Sequence, residues 1–348
     1  MRNPTRNQEK DTRTIGSQNT TGLRYHEGAM IKACAILGAL FAVLVCTAPA
    51  RAESLQFPPG AVRGLDLLYS GQSAQAIAEF KQIQAAEPDS PLGYLLEAEA
   101  HWWEIYCESC SIRWNTIDAW HHSRQPSDDA YLALLDKGIH LAEMQLAKSD
   151  SAEMEFYAGM GWGLRGRLMG LFDDHLGVAR AAVKGRTYLL RCLELDPEMY
   201  DAYAGLGLYN YLADTLSGLA KVLRFFMGIP GGDKREGVRQ LHIAMEQGVL
   251  TRAGARFYLA NVLRIYEHDY SASTDVLSPL ATQYPQNPVF QLVLGDNHGK
   301  LGHWDLATSI LRAAAQLPIS NSVCAAHVRT ITEQAIAAFP RAPIHASN

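Results

Sequence analysis

Apolar side chains recur at three- and four-residue intervals through most of this chain, the period of a helix that buries one face. Ala61, Leu65, Leu68 and Tyr69 form one such face, broken by Gly71, and Ala76, Ile77, Phe80 and Ile83 form the next, ended by Pro88. Pro91 opens a strongly apolar helix, PLGYLLEAEAHWWEIY. The period then lapses from Cys107 to Asp129, a stretch rich in Trp, His and Ser, and resumes with Leu132, Leu135, Ile139, Met144 and Leu146 on a packed face. AEMEFYAGMGWGLRGRLMGL, Ala152 to Leu171, carries Gly159, Gly163, Gly166 and Gly170, a row of small residues that predicts a closely packed neighbouring helix. A second long helix, LGVARAAVKGRTYLLRCLELDP, follows.

The stretch Leu193–Tyr211 contains a joint. Asp196-Pro197 closes one helix, because the residue before Pro avoids helical backbone and Pro cannot extend it. Ala202, Leu206 and Tyr209 then share a face, and Gly205 and Gly207 predict a close helix approach. After Tyr211 the chain adds ADTLSGLAKVLRFFMGIPGG, in which Leu216, Leu219, Leu223 and Phe226 fall at helical spacing with Lys221 and Arg224 opposite. Gly228, Pro230, Gly231 and Gly232 stop it, and Asp233 with Glu236 predicts a capping pair for the following helix. TRAGARFYLANVLRIY and STDVLSPLATQYPQNP make a further helix pair, another starts at Pro288, and SNSVCAAHVRTITEQAIAAF closes the series.

Helix pairs of this length resemble the tetratricopeptide repeat (TPR) family. Gly64, Gly71, Ala76, Phe80 and Pro88 sit at that family's mutual spacings within a unit of its period, with Gly60 standing where the family has a large aromatic. Leu206-Gly207 resembles its first-helix pair. Leu294, Gly295, Gly302, Ala307, Leu311 and Ala314 match again near the end, with Pro318 shifted by one. The resemblance implies an all-α, TPR-like α-solenoid of stacked antiparallel helix pairs whose concave face binds a peptide or protein. It also implies a non-enzymatic scaffold or adaptor.

The first 52 residues read as an address. A polar lead (1–29) precedes Met30, an alternative start. Residues 30–52 hold Lys32, the apolar run ACAILGALFAVLVCTAPA and Ala50-Arg51-Ala52, the parts of a secretory signal peptide. Export to the periplasm or cell envelope of a bacterium is therefore expected, with one repeat domain over 53–340, an inserted segment at 212–232 and a frayed tail at 341–348. Cleavage removes seven basic and three acidic residues, leaving 24 against 33 and a net charge of −9. With no basic cluster, nucleic acid is not an expected partner.

Candidate chemistry is sparse. Cys107-Glu-Ser-Cys110 lacks the His that follows a haem-attachment pair. Three readings stay open for it: a metal site completed from among His101, His121 and His122, thiol chemistry of the Cys107/Cys110 pair in an envelope protein, and a structural disulfide or packed thiols. No cofactor is expected. Trp102, Trp103, Trp114 and Trp120 form either a binding patch or core. Tyr203, Tyr209 and Asn210 are candidate groove residues, and Leu219, Leu223 and Phe226 belong either to a plug in the concave groove or to a helix touching a partner or membrane through 214–229. Gly161-x-Gly163-x-x-Gly166 matches a dinucleotide fingerprint in letters only, because no strand precedes it. Asp173, Asp174 and His175 are expected to cap a helix.

Overall fold

A computed structural model describes residues 57–110, 124–216, 221 and 228–339. Among these lie thirteen helices and no strand. In chain order they are α1 (Pro59–Tyr69), α2 (Ser73–Ala86), α3 (Leu92–Ser109), α4 (Pro126–Leu146), α5 (Ala152–Leu171), α6 (His175–Leu195) and α7 (Ala202–Thr215), then α8 (Lys234–Gln247), α9 (Arg252–Ile265), α10 (Tyr270–Gln283), α11 (Pro288–Lys300), α12 (Trp304–Ala315) and α13 (Ser322–Ala338). Their starts follow local chemistry. Ser151, Asp174, Asp233, Asp269, Asn287 and Asn321 each accept hydrogen bonds from backbone N–H groups of the first turn, which have no partner within the helix. Asp233 does so from Arg235 and Glu236, whereas the Glu236 carboxylate turns to Arg239 and Gln240.

Every helix packs on the next, and α1/α3, α3/α5, α5/α7 and α7/α9 also touch, so the chain is a TPR-like stack of helix pairs. One contact recurs. A glycine of a first helix faces a bulky residue of its partner: Gly64 faces Phe80, Gly295 faces Leu311, and Gly207 faces Leu241. The first two pairs are 16 residues apart in sequence and the third 34. The insertion therefore sits inside one repeat, between α7 and α8, whose backbones meet where a Cβ on Gly207 would lie 2.9 Å from the Gly237 carbonyl oxygen. Gly71 turns α1 into α2 at φ +78°, backbone that disfavours any residue with a Cβ. Met144, expected on the packed face of α4, is exposed, while Leu135 and Ile139 of that face are buried.

The last helix does more than cover the end of the stack. α13 docks on α3 as well as on α12, through a disulfide between Cys107 and Cys324 with Cα atoms 5.3 Å apart. Asn321 donates to Glu108 at 2.7 Å, and the His327 ring nitrogen Nε2 lies 2.6 Å from the Cys110 carbonyl. The first pair meets the later repeats too: Asn287 donates to the Tyr69 carbonyl at 3.0 Å, and Tyr284 donates to Asp66 at 2.7 Å. Early and late repeats therefore share one aromatic core of Tyr69, Trp103, Tyr106, Phe257, Tyr284 and Phe290, with ring centroids 5.0 to 6.3 Å apart. No described helix is long and apolar enough to cross a membrane.

Candidate functional site

Residues of α5, α6 and α7, with α9 and parts of α1 and α3, line a cavity of about 790 Å³. That size lies within the range of small-molecule and side-chain binding pockets. Its walls are almost wholly carbon, supplied by residues such as Phe156, Met160, Ala182, Leu189, Leu208 and Leu212. The space follows from glycine placement. On α5, a Cβ at Gly159 would lie 2.6 Å from Leu189, so this glycine serves close packing on α6, as the sequence predicts. One turn on, a Cβ at Gly163 would meet nothing within 4 Å, and this glycine opens the wall. Gly254 on α9 also lines it, with only the Tyr69 hydroxyl near, at 3.8 Å.

These glycines predict opposite responses to the same change. Gly163→Ala is expected to stabilise the chain by about 1 kcal/mol, since it removes the glycine entropy cost within a helix without a clash. Gly237→Ala is expected to destabilise it, because the new Cβ would sit 2.6 Å from the Tyr211 backbone nitrogen. Thermal unfolding of the two variants beside the parent chain checks the pair.

The polar groups of the wall include His175 and Trp162, whose indole nitrogen is buried without a hydrogen-bond partner among the described residues, and several that are already engaged. Arg167 donates to Glu99 at 2.8 Å and lies over the Tyr258 ring at 4.7 Å. Glu99, on its other oxygen, accepts from the Trp103 indole at 2.9 Å. Burial opposes the Arg167 charge, yet neighbouring Tyr258 and Glu99 keep its pKa raised. Asp201 is buried and accepts from the backbone N–H groups of Val249 and Thr251 and from the Thr251 hydroxyl at 2.8 Å. Arg186 differs. It lies 5.3 Å from the Tyr209 ring and has no carboxylate within 4 Å among the described residues. Leu176, Leu212 and Leu216 line the cavity and are exposed, an apolar rim on an acidic protein.

Of the groove residues expected from sequence, Tyr209 is in the cavity wall, its hydroxyl donating to the Pro230 carbonyl at 2.8 Å. Tyr203 instead packs beside the core beneath α7, α8 and α9, and Asn210 bridges to Gln240 at 2.8 Å. Trp102 and Trp103 are buried, so they are core, not a surface patch. Trp102 donates to Tyr258 at 3.1 Å, behind the cavity wall. Trp114, Trp120, His121, His122, Leu219, Leu223 and Phe226 lie outside the described residues, as do 217–220 and 222–227 of the 212–232 insertion. Its two flanks, Leu216 and Ile229, border the cavity.

Of the three readings of Cys107 and Cys110, the metal site and the thiol pair are overturned, and a structural disulfide and a packed thiol are what the chain forms. Cys107 is bonded to Cys324, 217 residues away, and is not free to ligate a metal or exchange with Cys110. Cys110 is buried, and burial pushes its thiol up to about 12, although Arg264 works in the other direction. A thiol held that far above neutral pH supplies almost no thiolate. Among the described residues no group of three His, Cys, Asp or Glu is placed to hold a metal. Asp174 caps α6 by accepting from Gly177 at 2.8 Å, as expected. Glu99, Arg167 and Arg186 were not singled out by sequence. The one signal for Arg186 is that α6 carries Arg180, Lys184, Arg186 and Arg191 with no acidic residue before Glu194.

No family model matches the chain, and no curated protein does. Among solved structures, the crystal structure of yeast Tom70 is similar over 88% of this chain and 93% of that one, with 11% sequence identity and a TM-score of 0.26.

Proposed function

We propose that this chain is a non-enzymatic binding scaffold that holds an apolar segment of a partner protein in the cavity between α5, α6 and α7. The carbon lining of that cavity carries the proposal. A wall with an exposed Leu176, Leu212 and Leu216 rim gains free energy when an apolar group covers it. Glu99, Arg167 and Asp201, three of the wall's polar groups, are already hydrogen-bonded to the protein. A helical segment suits this wall better than an extended one, because a helix satisfies its own backbone hydrogen bonds.

Export to a bacterial envelope belongs to the same proposal. It is supported by the signal-like residues 30–52 and by the Cys107–Cys324 disulfide, a bond that persists in oxidising compartments. A photo-crosslinking amino acid placed at Leu212 and activated in intact cells is expected to yield a discrete protein adduct. The same group at Val323, exposed on α13 and away from the cavity, serves as the control. Absence of an adduct from position 212, or an identical adduct from 323, would count against the proposal.

A further inference from the structure

We infer that the cavity also binds a long-chain fatty acid, with the acyl chain among the α5–α7 side chains and the carboxylate on Arg186. This ligand goes beyond the protein partner proposed above and shares only the cavity with it. Two independent features of the molecule meet here. The first is the carbon wall, opened at Gly163 and Gly254, where Glu99, Arg167 and Asp201 are hydrogen-bonded to the protein and the Trp162 indole, His175 and Arg186 are the further polar groups. Such a wall penalises a ligand with many hydrogen-bonding groups, because each buried group without a partner costs free energy. An acyl chain brings none, and its burial is favourable by about 0.8 kcal/mol per CH₂.

The second feature is charge. The chain carries a net charge of −5, yet helix α6, which forms one wall, has four Arg/Lys and no acidic residue between Leu176 and Cys192. Arg191 is paired with Asp150 and Glu194. Arg180, Lys184 and Arg186 have no carboxylate within 4 Å among the described residues. Lys184 lies 4.1 Å from the Trp162 ring, and Trp162 is itself a wall residue. Arg186 is the member of the three that lines the cavity, half-buried against Tyr209. A guanidinium in that position presents a planar fork that matches one carboxylate with two parallel hydrogen bonds. One apolar body and one anionic end complement this site.

The test uses the purified chain and cis-parinaric acid, a fluorescent 18-carbon fatty acid, with its uncharged methyl ester as the second probe. The parent chain is expected to bind the acid saturably at one site. Arg186→Gln is expected to weaken the acid about tenfold, the scale of a lost charge-assisted pair, and to leave the ester unchanged. Gly163→Leu is expected to weaken both probes at least tenfold while the protein remains folded by circular dichroism, since its new side chain projects into open space. Failure of the parent chain to bind the acid would overturn the inference. So would equal loss of acid and ester in Arg186→Gln, or recruitment to phosphatidylglycerol vesicles without binding of monomeric acid. A Leu212 adduct without fatty-acid binding removes this inference alone; fatty-acid binding without an adduct removes the scaffold proposal alone.

Discussion

Replacing Cys107 with Ser is expected to lower the stability of the folded chain by about 5 kcal/mol. The bond joins residues 217 apart, and a cross-link closing so long a loop removes much of the unfolded chain's freedom. It also acts at a particular place. The bond holds α13 on α3, where the direct hydrogen bonds are Asn321 to Glu108 and the contact of His327 with the Cys110 carbonyl. Urea unfolding with and without a reductant should therefore show a large downward shift in midpoint for the parent chain and none for Cys107→Ser. Cys110→Ala, one helical turn away, should cost far less, since its thiol makes no covalent bond. Equal costs at the two positions, or alkylation of Cys324 in the unreduced native protein, would contradict the assignment.

The second large effect lies in the core between α9 and α11. Asp296 is fully buried and accepts on one carboxylate oxygen from Arg264 Nε at 2.8 Å and from Lys300 at 2.8 Å, with a further bond from the Arg264 guanidinium. Arg264 is buried as well. Asp296→Ala would strand two cations away from water, and a loss of about 3–5 kcal/mol is expected. Burial and Arg264 already lower the Lys300 pKa against the pull of Asp296, so removing the carboxylate should depress it further. Replacing all three residues with apolar ones of similar size should recover part of the loss, because the desolvation cost of the ions then disappears. Chemical denaturation of the single and triple variants measures both results; a single variant as stable as the parent would show that the triad is solvated.

Local signals were legible in the sequence, and long-range ones were not. The period of Ala61, Leu65, Leu68 and Tyr69 and the stops at Gly71 and Pro88 set the first helix pair correctly, because they depend only on near neighbours along the chain. The glycines of Leu193–Tyr211 predicted close approach, and Gly207 against Gly237 bears it out. Gly163 could not be separated from Gly159 by spacing, since which one faces a neighbour and which faces open space depends on how α6 crosses α5. Trp102 and Trp103 were ambiguous for a similar reason. Their burial depends on Phe257, Tyr258 and Phe290, more than 150 residues later. The partner of Cys107 lies beyond the reach of any local motif, and the nearby Cys110 made the shorter pairing look natural.

Occluding the cavity tests the binding scaffold most directly. Gly163→Leu adds a side chain to the wall at a position with no atom within 4 Å, so the fold should persist while the space is reduced. Crosslinking from Leu212 in intact cells, repeated in the Gly163→Leu background, measures whether that space is used. Loss of the partner adduct at unchanged protein level is the expected result. An adduct of the same size and yield in both backgrounds would show that the cavity does not hold the partner and place its surface elsewhere on the stack.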